Sequence, residues 1–146
     1  MADSNAGPLA RSGITAKTVG VVGFAIHLVS WFSPVHREVH TGWEAFKTCW
    51  PGIWTMAVRH EEVTVVSGLE ALSPHTNYVV VVACILLMKK NPPEGWLRWT
   101  GWLLIASVLC DAVWFTEGSA LRFGYYLWLV SFAMLAWAVQ IKLRDA

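Results

Sequence analysis

Apolar residues are concentrated in four stretches of this chain, which polar and charged segments separate. Placed on a helix, each stretch is apolar nearly all the way round, as expected for helices that are buried in lipid or in protein. The third and fourth stretches reach the roughly 20 residues that a helix needs to cross a bilayer. The pattern predicts membrane spans at about 18–34, 74–89, 96–116 and 121–142.

The first two spans depend on the residues that flank them. The first apolar stretch ends before Pro34, because proline cannot continue a helix comfortably. The second stretch, Tyr78 to Met88, needs the polar residues 73–77 as its first turn. We therefore expect Ser73 to be the N-cap of this helix and Pro74 to occupy its first position.

Composition indicates a polytopic membrane protein. Of the 146 residues, 55% are hydrophobic and 14% are charged, whereas a soluble domain carries roughly 25% charged residues. The predicted fold is an all-α integral membrane four-helix bundle, in which a tail (residues 1–17) precedes a single membrane domain (residues 18–143). This composition excludes a soluble enzyme, and a net charge of +1 provides no basic surface for nucleic acid.

Lysine and arginine are distributed unequally between the two sides of the predicted bundle. Seven lie on the side that holds both termini and the turn at residues 89–95, whereas four lie on the other side together with six glutamates. Cytoplasmic loops carry the excess of basic residues. Both termini are therefore predicted to be cytoplasmic, in a bacterial plasma membrane, and the long loop at residues 35–73 faces outward.

The outer loop contains too many aromatic and apolar residues for a freely solvated segment. Tryptophan occupies positions 43, 50 and 54, and residues 63–72 are largely apolar. Helices with such residues lie at the membrane surface or pack over a bundle. We expect interfacial helical segments within this loop, and membrane lipids among the partners of the chain.

His27 lies in the middle of the first span, within the stretch Gly23–Trp31. An ionisable side chain at this depth is costly and by default marks a functional site. A neutral imidazole can be an axial ligand of haem iron or of (bacterio)chlorophyll magnesium, and Gly23, one turn earlier, would leave space for the macrocycle. The stretch resembles the membrane helix of bacterial light-harvesting polypeptides. The alternatives are a hydrogen bond from His27 to a neighbouring helix, and proton handling.

A second group of histidines lies in the outer loop. His36 and His40 are four residues apart, a spacing that places both imidazoles on one face of a helix and suits zinc. His60 belongs to the same loop and completes a candidate metal site. The alternative is a solvated histidine cluster without a metal.

A carboxylate inside the third span requires a polar partner. Asp111 lies about one helical turn before the outer end of that span, where an unpaired charge is costly. Arg122, at the start of the fourth span, is the predicted partner, and Glu70 is expected to join the same structural polar cluster. No chain of intramembrane carboxylates continues inward, which disfavours a pump or a proton channel.

Short motifs in this chain are similar to those of small uncharacterised four-span bacterial membrane proteins, namely Gly124–Trp128, Gly68–Glu70 and Asn77. The resemblance supports the topology and implies no activity. The sequence contains no nucleophile elbow, phosphate-binding loop or carboxylate pair at fixed spacing. We therefore expect a non-enzymatic accessory subunit that packs against other integral membrane subunits. The alternatives are a haem- or pigment-binding subunit of a photosynthetic or respiratory complex, and a metal-handling membrane protein.

Overall fold

The computed structural model describes residues 15–37, 41–52, 54, 58, 64–115 and 121–145. Within these ranges the chain is helical apart from caps, turns and short connections, as the sequence predicts. In chain order the helices are α1 (Ala16–Phe32), α2 (Gly42–Cys49), α3 (Val65–Leu72), α4 (Thr76–Met88), α5 (Glu94–Asp111) and α6 (Phe123–Arg144). A 3₁₀ turn at Ser73–His75 joins α3 to α4.

Helices α1, α4, α5 and α6 form an antiparallel bundle. Helix α1 packs on α4 and α6, and α5 packs on the same two helices from the other side. The interior is filled by large apolar side chains, namely Val80, Leu97, Leu104, Phe132, Leu135 and Val139. The outward faces of the four helices are also apolar, so the bundle has the two-sided apolar character of helices that lie in a membrane.

Two glycines of α1 allow neighbouring helices to approach closely. A Cβ on Gly23 would lie 3.1 Å from the Cβ of Met134 and 3.3 Å from the Cγ of Leu135, both in α6. A Cβ on Gly20 would lie 2.9 Å from the Cδ1 of Leu87 in α4. Small residues let helix backbones approach in this way, and α1 and α6 form the most extensive helix pair of the bundle.

The two ends of the bundle differ in charge and in covering. One end, which we call the basic end, carries six cations: Lys17, Lys89, Lys90, Arg98, Lys142 and Arg144. The Nζ of Lys142 donates to the carbonyl oxygen of Lys90 at 3.4 Å, which joins α6 to the turn after α4. The opposite end, which we call the capped end, is covered by α2 and α3.

The helix that contains the second predicted span begins earlier than the sequence suggested. Helical residues run from Val65 to Met88, a segment of 24 residues. Ser73 is not an N-cap, because its backbone N–H donates to the carbonyl oxygen of Leu69 in the preceding turn. Pro74 lacks an N–H, and the helix tightens into the 3₁₀ turn there instead of starting.

Three helical segments in the described ranges are long and apolar enough to cross a membrane: Val65–Met88, Glu94–Phe115 and Phe123–Arg144. Helix α1 has 17 residues. That length is at the lower end of the range of about 17–25 residues for membrane-spanning helices.

At the capped end, the chain that leaves α1 runs beside the start of α6. The N–H of Arg122 donates to the carbonyl oxygen of Val35 at 2.9 Å, and the N–H of Gly124 donates to that of Pro34 at 2.8 Å. A Cβ on Gly124 would lie 2.7 Å from the oxygen of Pro34 and 2.8 Å from the Cβ of Ser33. Only glycine fits at this position without displacing the backbone.

We predict that replacing Gly124 by alanine destabilises the protein by about 1–3 kcal/mol, because the backbone at Ser33 and Pro34 must move. Gly95 is the matched control, since nothing lies within 4 Å of a Cβ there. Alanine at this helical position is favoured over glycine by about 0.5–1 kcal/mol. Thermal unfolding in detergent should give a lower Tm for G124A and an equal or higher Tm for G95A. An unchanged Tm for G124A would contradict the close approach.

Candidate functional site

Polar side chains are buried together at one level of the bundle, just below the capped end. We call this group the polar layer; it consists of His27, Ser30, Ser73, Thr76, Asn77, Asp111, Tyr125 and Ser131, each at most 8% exposed. Burial of a polar group is costly unless the group is hydrogen-bonded. The partners of each group therefore determine what the layer can do.

Helix α6 holds His27 through Ser131. The His27 Nδ1 lies 2.9 Å from the Ser131 Oγ. Because the Ser131 hydroxyl donates its own proton to the carbonyl oxygen of Trp128 at 2.6 Å, it accepts from the His27 Nδ1–H. The Asn77 Nδ2 donates to the carbonyl oxygen of Pro74 at 2.8 Å, and the Phe132 ring packs edge-on against the imidazole with centroids 5.6 Å apart.

The surroundings of His27 do not fit a tetrapyrrole. A proton on Nδ1 leaves Nε2 as the atom that would bind iron or magnesium, but His27 is only 3% exposed. A cavity between the polar layer and α2, bounded by Ser30, Asn77 and Trp128, holds about 20 Å³, whereas ligand pockets hold about 300 Å³ or more. Side chains of α6 occupy the space beside Gly23 that a macrocycle would need.

Asp111 is wholly buried and lies among hydroxyl groups. Its Oδ2 lies 3.3 Å from the Thr76 Oγ1, whose proton is donated to the carbonyl oxygen of Ser73 at 2.6 Å. The Tyr125 hydroxyl donates to the backbone oxygen of Asp111 at 2.7 Å. Asp111 thus connects the end of α5 to the starts of α4 and α6. Among the described residues it forms no ion pair with Arg122, which is exposed at the N-cap of α6.

Glu70 acts on the thiol of Cys49 and not on Asp111. It is half-buried in α3, and Cys49 is the last residue of α2. Burial and the Glu70 carboxylate together raise the pKa of the Cys49 thiol. A thiol with a raised pKa is protonated at neutral pH and is a poor nucleophile. The structure therefore gives the three residues of the predicted polar cluster different partners.

The predicted metal ligands lie partly outside the described ranges, since His40 and His60 belong to residues that the structure does not describe. His36 is described, and its extended backbone forms an antiparallel bridge with Leu121. The helical spacing argument therefore does not hold at His36. Within the described part of the chain, no group of three histidine, cysteine or acidic side chains is placed to hold a metal. The metal site stays a prediction.

Aromatic rings cover the capped end in a continuous row: Trp31, Trp43, Phe46, Trp50, His75 and Tyr78. Trp43 and Phe46 of α2 each stack on Trp31, with centroids 5.4 Å apart. At the other end of α2, Trp50 stacks on His75 with centroids 4.8 Å apart. These contacts place α2 over the bundle, which agrees with the expectation that helical segments of the outer loop pack there.

A chamber of about 220 Å³ lies beneath α2. Its wall is almost entirely apolar and includes Val35, Phe46 and Leu121. The indole N–H of Trp114 donates to the Ser73 Oγ at 3.3 Å, so this lining residue is already paired. The chamber is larger than the cavity of about 150 Å³ that admits benzene in an engineered protein. The sequence did not reveal it because its lining comes from separate segments of the chain.

Three hydroxyls of the polar layer form hydrogen bonds within their own helices. The hydroxyls of Ser30, Thr76 and Ser131 each donate to a backbone oxygen three residues earlier, at 2.6 Å in each case. A hydroxyl nucleophile instead needs a base that accepts its proton, and the His27 Nδ1 is a donor to Ser131. Within the described ranges, the layer joins helices through hydrogen bonds.

Comparison with known proteins identifies no relative. No protein-family model, no curated protein and no solved structure matches this chain. The resemblances to light-harvesting helices and to small four-span proteins therefore stay expectations.

The bond between His27 and Ser131 predicts coupled losses of stability. H27L leaves the Ser131 oxygen without its donor, and S131A leaves the Nδ1–H without its acceptor, so each should cost about 1–3 kcal/mol. The double variant should cost less than the sum, with a coupling of about 0.5–3 kcal/mol. Unfolding in detergent measures all three variants.

The matched control combines H27L with S107A, because Ser107 donates to Leu103 within α5. This pair should be additive within about 0.5 kcal/mol. Additive losses for H27L and S131A would contradict the interhelical bond. A visible absorption band in the wild type that H27L removes would instead establish tetrapyrrole binding.

Proposed function

We propose that this chain is a non-enzymatic integral membrane protein that crosses the membrane four times and serves as an accessory subunit of a larger membrane complex. The observation that carries the proposal is a row of exposed tryptophans on α5, formed by Trp96, Trp99 and Trp102. Their exposed fractions are 65%, 71% and 67%.

The charge difference between the two ends supports the topology. Antiparallel packing brings Lys17, Lys89 and Lys142 to the same end of the bundle, although they are distant in sequence. Since cytoplasmic segments carry the excess of lysine and arginine, the basic end and both termini are assigned to the cytoplasm. The capped end, with its aromatic row, then lies at the outer surface of a bacterial plasma membrane.

The tryptophan row distinguishes α5 from the other outward faces. Exposed residues of α1 and α4 are mainly aliphatic, such as Val21, Val81 and Ile85, and suit contact with lipid tails. Trp102 lies about 12 Å along the helix from Glu94, beyond the headgroup level that favours tryptophan. Tryptophan is enriched at the centres of protein–protein interfaces. This face of α5 therefore suits another integral membrane subunit.

The sealed interior argues against a transporter acting alone. Between the polar layer and the basic end, the described core consists largely of apolar side chains, among them Leu97, Leu104 and Leu135. Thr100 and Ser107 are buried polar residues of α5 in this region, and the Ser107 hydroxyl donates to the carbonyl oxygen of Leu103. These two hydroxyls do not make a pathway for an ion or a polar solute.

The two alternative functions have less support. The environment of His27 has no room for a tetrapyrrole, which weakens the haem- or pigment-binding subunit. The metal-handling protein depends on His40 and His60, about which the described residues say nothing.

The test is the loss of a partner when the tryptophan row is removed. W96L/W99L/W102L keeps α5 apolar but removes three aromatic anchors, and an interface hot spot costs about 2 kcal/mol or more when truncated. Native mass spectrometry of protein extracted gently from its own membranes should detect a stoichiometric partner with the wild type. The triple variant should lose it.

W137L is the control, because Trp137 is a comparably exposed tryptophan of α6, 49% exposed, outside the row. It should retain the partner. A wild-type mass that equals the bare chain or a simple homo-oligomer would contradict the accessory role. Retention of the partner by the triple variant would contradict the assigned face.

A further inference from the structure

A second apolar surface feature lies between α1 and α4 at the basic end of the bundle. Helix α1 packs much more extensively on α6 than on α4, and this leaves a groove of about 280 Å³ between α1 and α4. Its floor is formed at Gly20 and Leu87, and Phe24 marks its far end. The lining is almost wholly apolar.

The groove has the dimensions and the surface of a site for an acyl chain. From Lys17 to Phe24 it extends about 10 Å along α1, at 1.5 Å per residue. Its walls are aliphatic side chains that face outward, including Val81 and Ile85, which are 52% and 48% exposed. At its floor the Leu87 side chain packs against Gly20, so an acyl chain would lie on this apolar floor between the exposed side chains of α1 and α4.

The mouth of the groove is positively charged. Lys17 lines it directly, and Lys89 and Lys90 follow Met88, the lining residue at the end of α4. Within the described ranges these three lysines form no ion pair, whereas Arg98 on α5 is paired with Glu94 at 2.6 Å. An apolar groove that opens onto unpaired cations at the membrane surface is complementary to one anionic headgroup attached to acyl chains.

We propose that this groove, bounded by Gly20, Leu87 and Lys17, binds one anionic phospholipid. An acyl chain lies in the groove, and the phosphate of the headgroup is bound by Lys17 together with Lys89 and Lys90. The inference rests on the proposed membrane topology, which places the lysines at a headgroup layer. It is independent of the accessory role, because the site belongs to the isolated chain.

The experiment is native mass spectrometry of the purified, delipidated full chain in a neutral detergent. It is titrated with phosphatidylglycerol and, separately, with phosphatidylcholine of the same acyl chains. The wild type should retain one phosphatidylglycerol in preference to phosphatidylcholine. Neutralising a lysine should weaken phosphatidylglycerol binding by roughly fivefold, so K17Q/K89Q/K90Q should lose the preference.

Two further variants separate charge from shape. C84W fills the groove, because Cys84 is a half-buried lining residue, and it should weaken the binding of both lipids. R98Q removes one cation of the same end that lies outside the groove, and it should bind phosphatidylglycerol as the wild type does.

Equal retention of the two lipids by the wild type would overturn the proposal, and so would undiminished binding by the lysine variant or by C84W. Failure of membrane insertion has a different signature, namely release of the chain from native membranes by alkaline carbonate. Failure of the accessory role leaves the lipid preference unchanged and shows only as the lack of a protein partner.

Discussion

The close contact between α1 and α6 is the interaction on which the rest of the structure depends. Gly23 brings the two helices near enough for the His27 Nδ1 to donate to the Ser131 Oγ at 2.9 Å. In a membrane no water is available to satisfy a buried polar group, so an imidazole at this depth requires such a partner. Helix α1 packs less extensively on α4 than on α6, and the groove at the basic end lies between α1 and α4.

The capped end forms where the backbone continues beyond the contact between α1 and α6. Residues 34–35 pair with 122–124 through backbone hydrogen bonds, and the absence of a side chain at Gly124 allows that pairing. Helix α2 starts at a capping box formed by Thr41 and Glu44. Its aromatic residues pack over this paired backbone. The chamber lies beneath α2, which covers it from the side of the capped end.

The helical character of the chain could be predicted from sequence, because long apolar runs in a bilayer have few alternatives to helices. The start of α4 could not, since Ser73 and Pro74 are a typical helix start and only the preceding turn reveals that α3 continues into them. At the site, the alternative of an interhelical hydrogen bond for His27 agrees with the structure. Its partner Ser131 lies 104 residues away, and no local pattern identifies it.

The partners of Asp111 could not be predicted from the sequence either. A carboxylate near a span end suggests an arginine partner on sequence grounds, and Arg122 is the nearest in the chain. Instead, the hydroxyl oxygen of Thr76 lies beside the carboxylate, because α4 packs directly beside the end of α5. Partners of this kind depend on which helices pack together, and hydropathy and charge counts carry no information about that packing.

The central claim is that the bundle spans a membrane with its basic end in the cytoplasm, and the accessibility of single cysteines tests it most directly. With Cys49, Cys84 and Cys110 replaced by serine, one cysteine is introduced at Lys47 of α2 or at Asn91 in the turn after α4; both positions are exposed. A membrane-impermeant maleimide should label K47C in intact cells, and N91C only after permeabilisation. Labelling of N91C in intact cells, or equal labelling of both variants, would contradict the account.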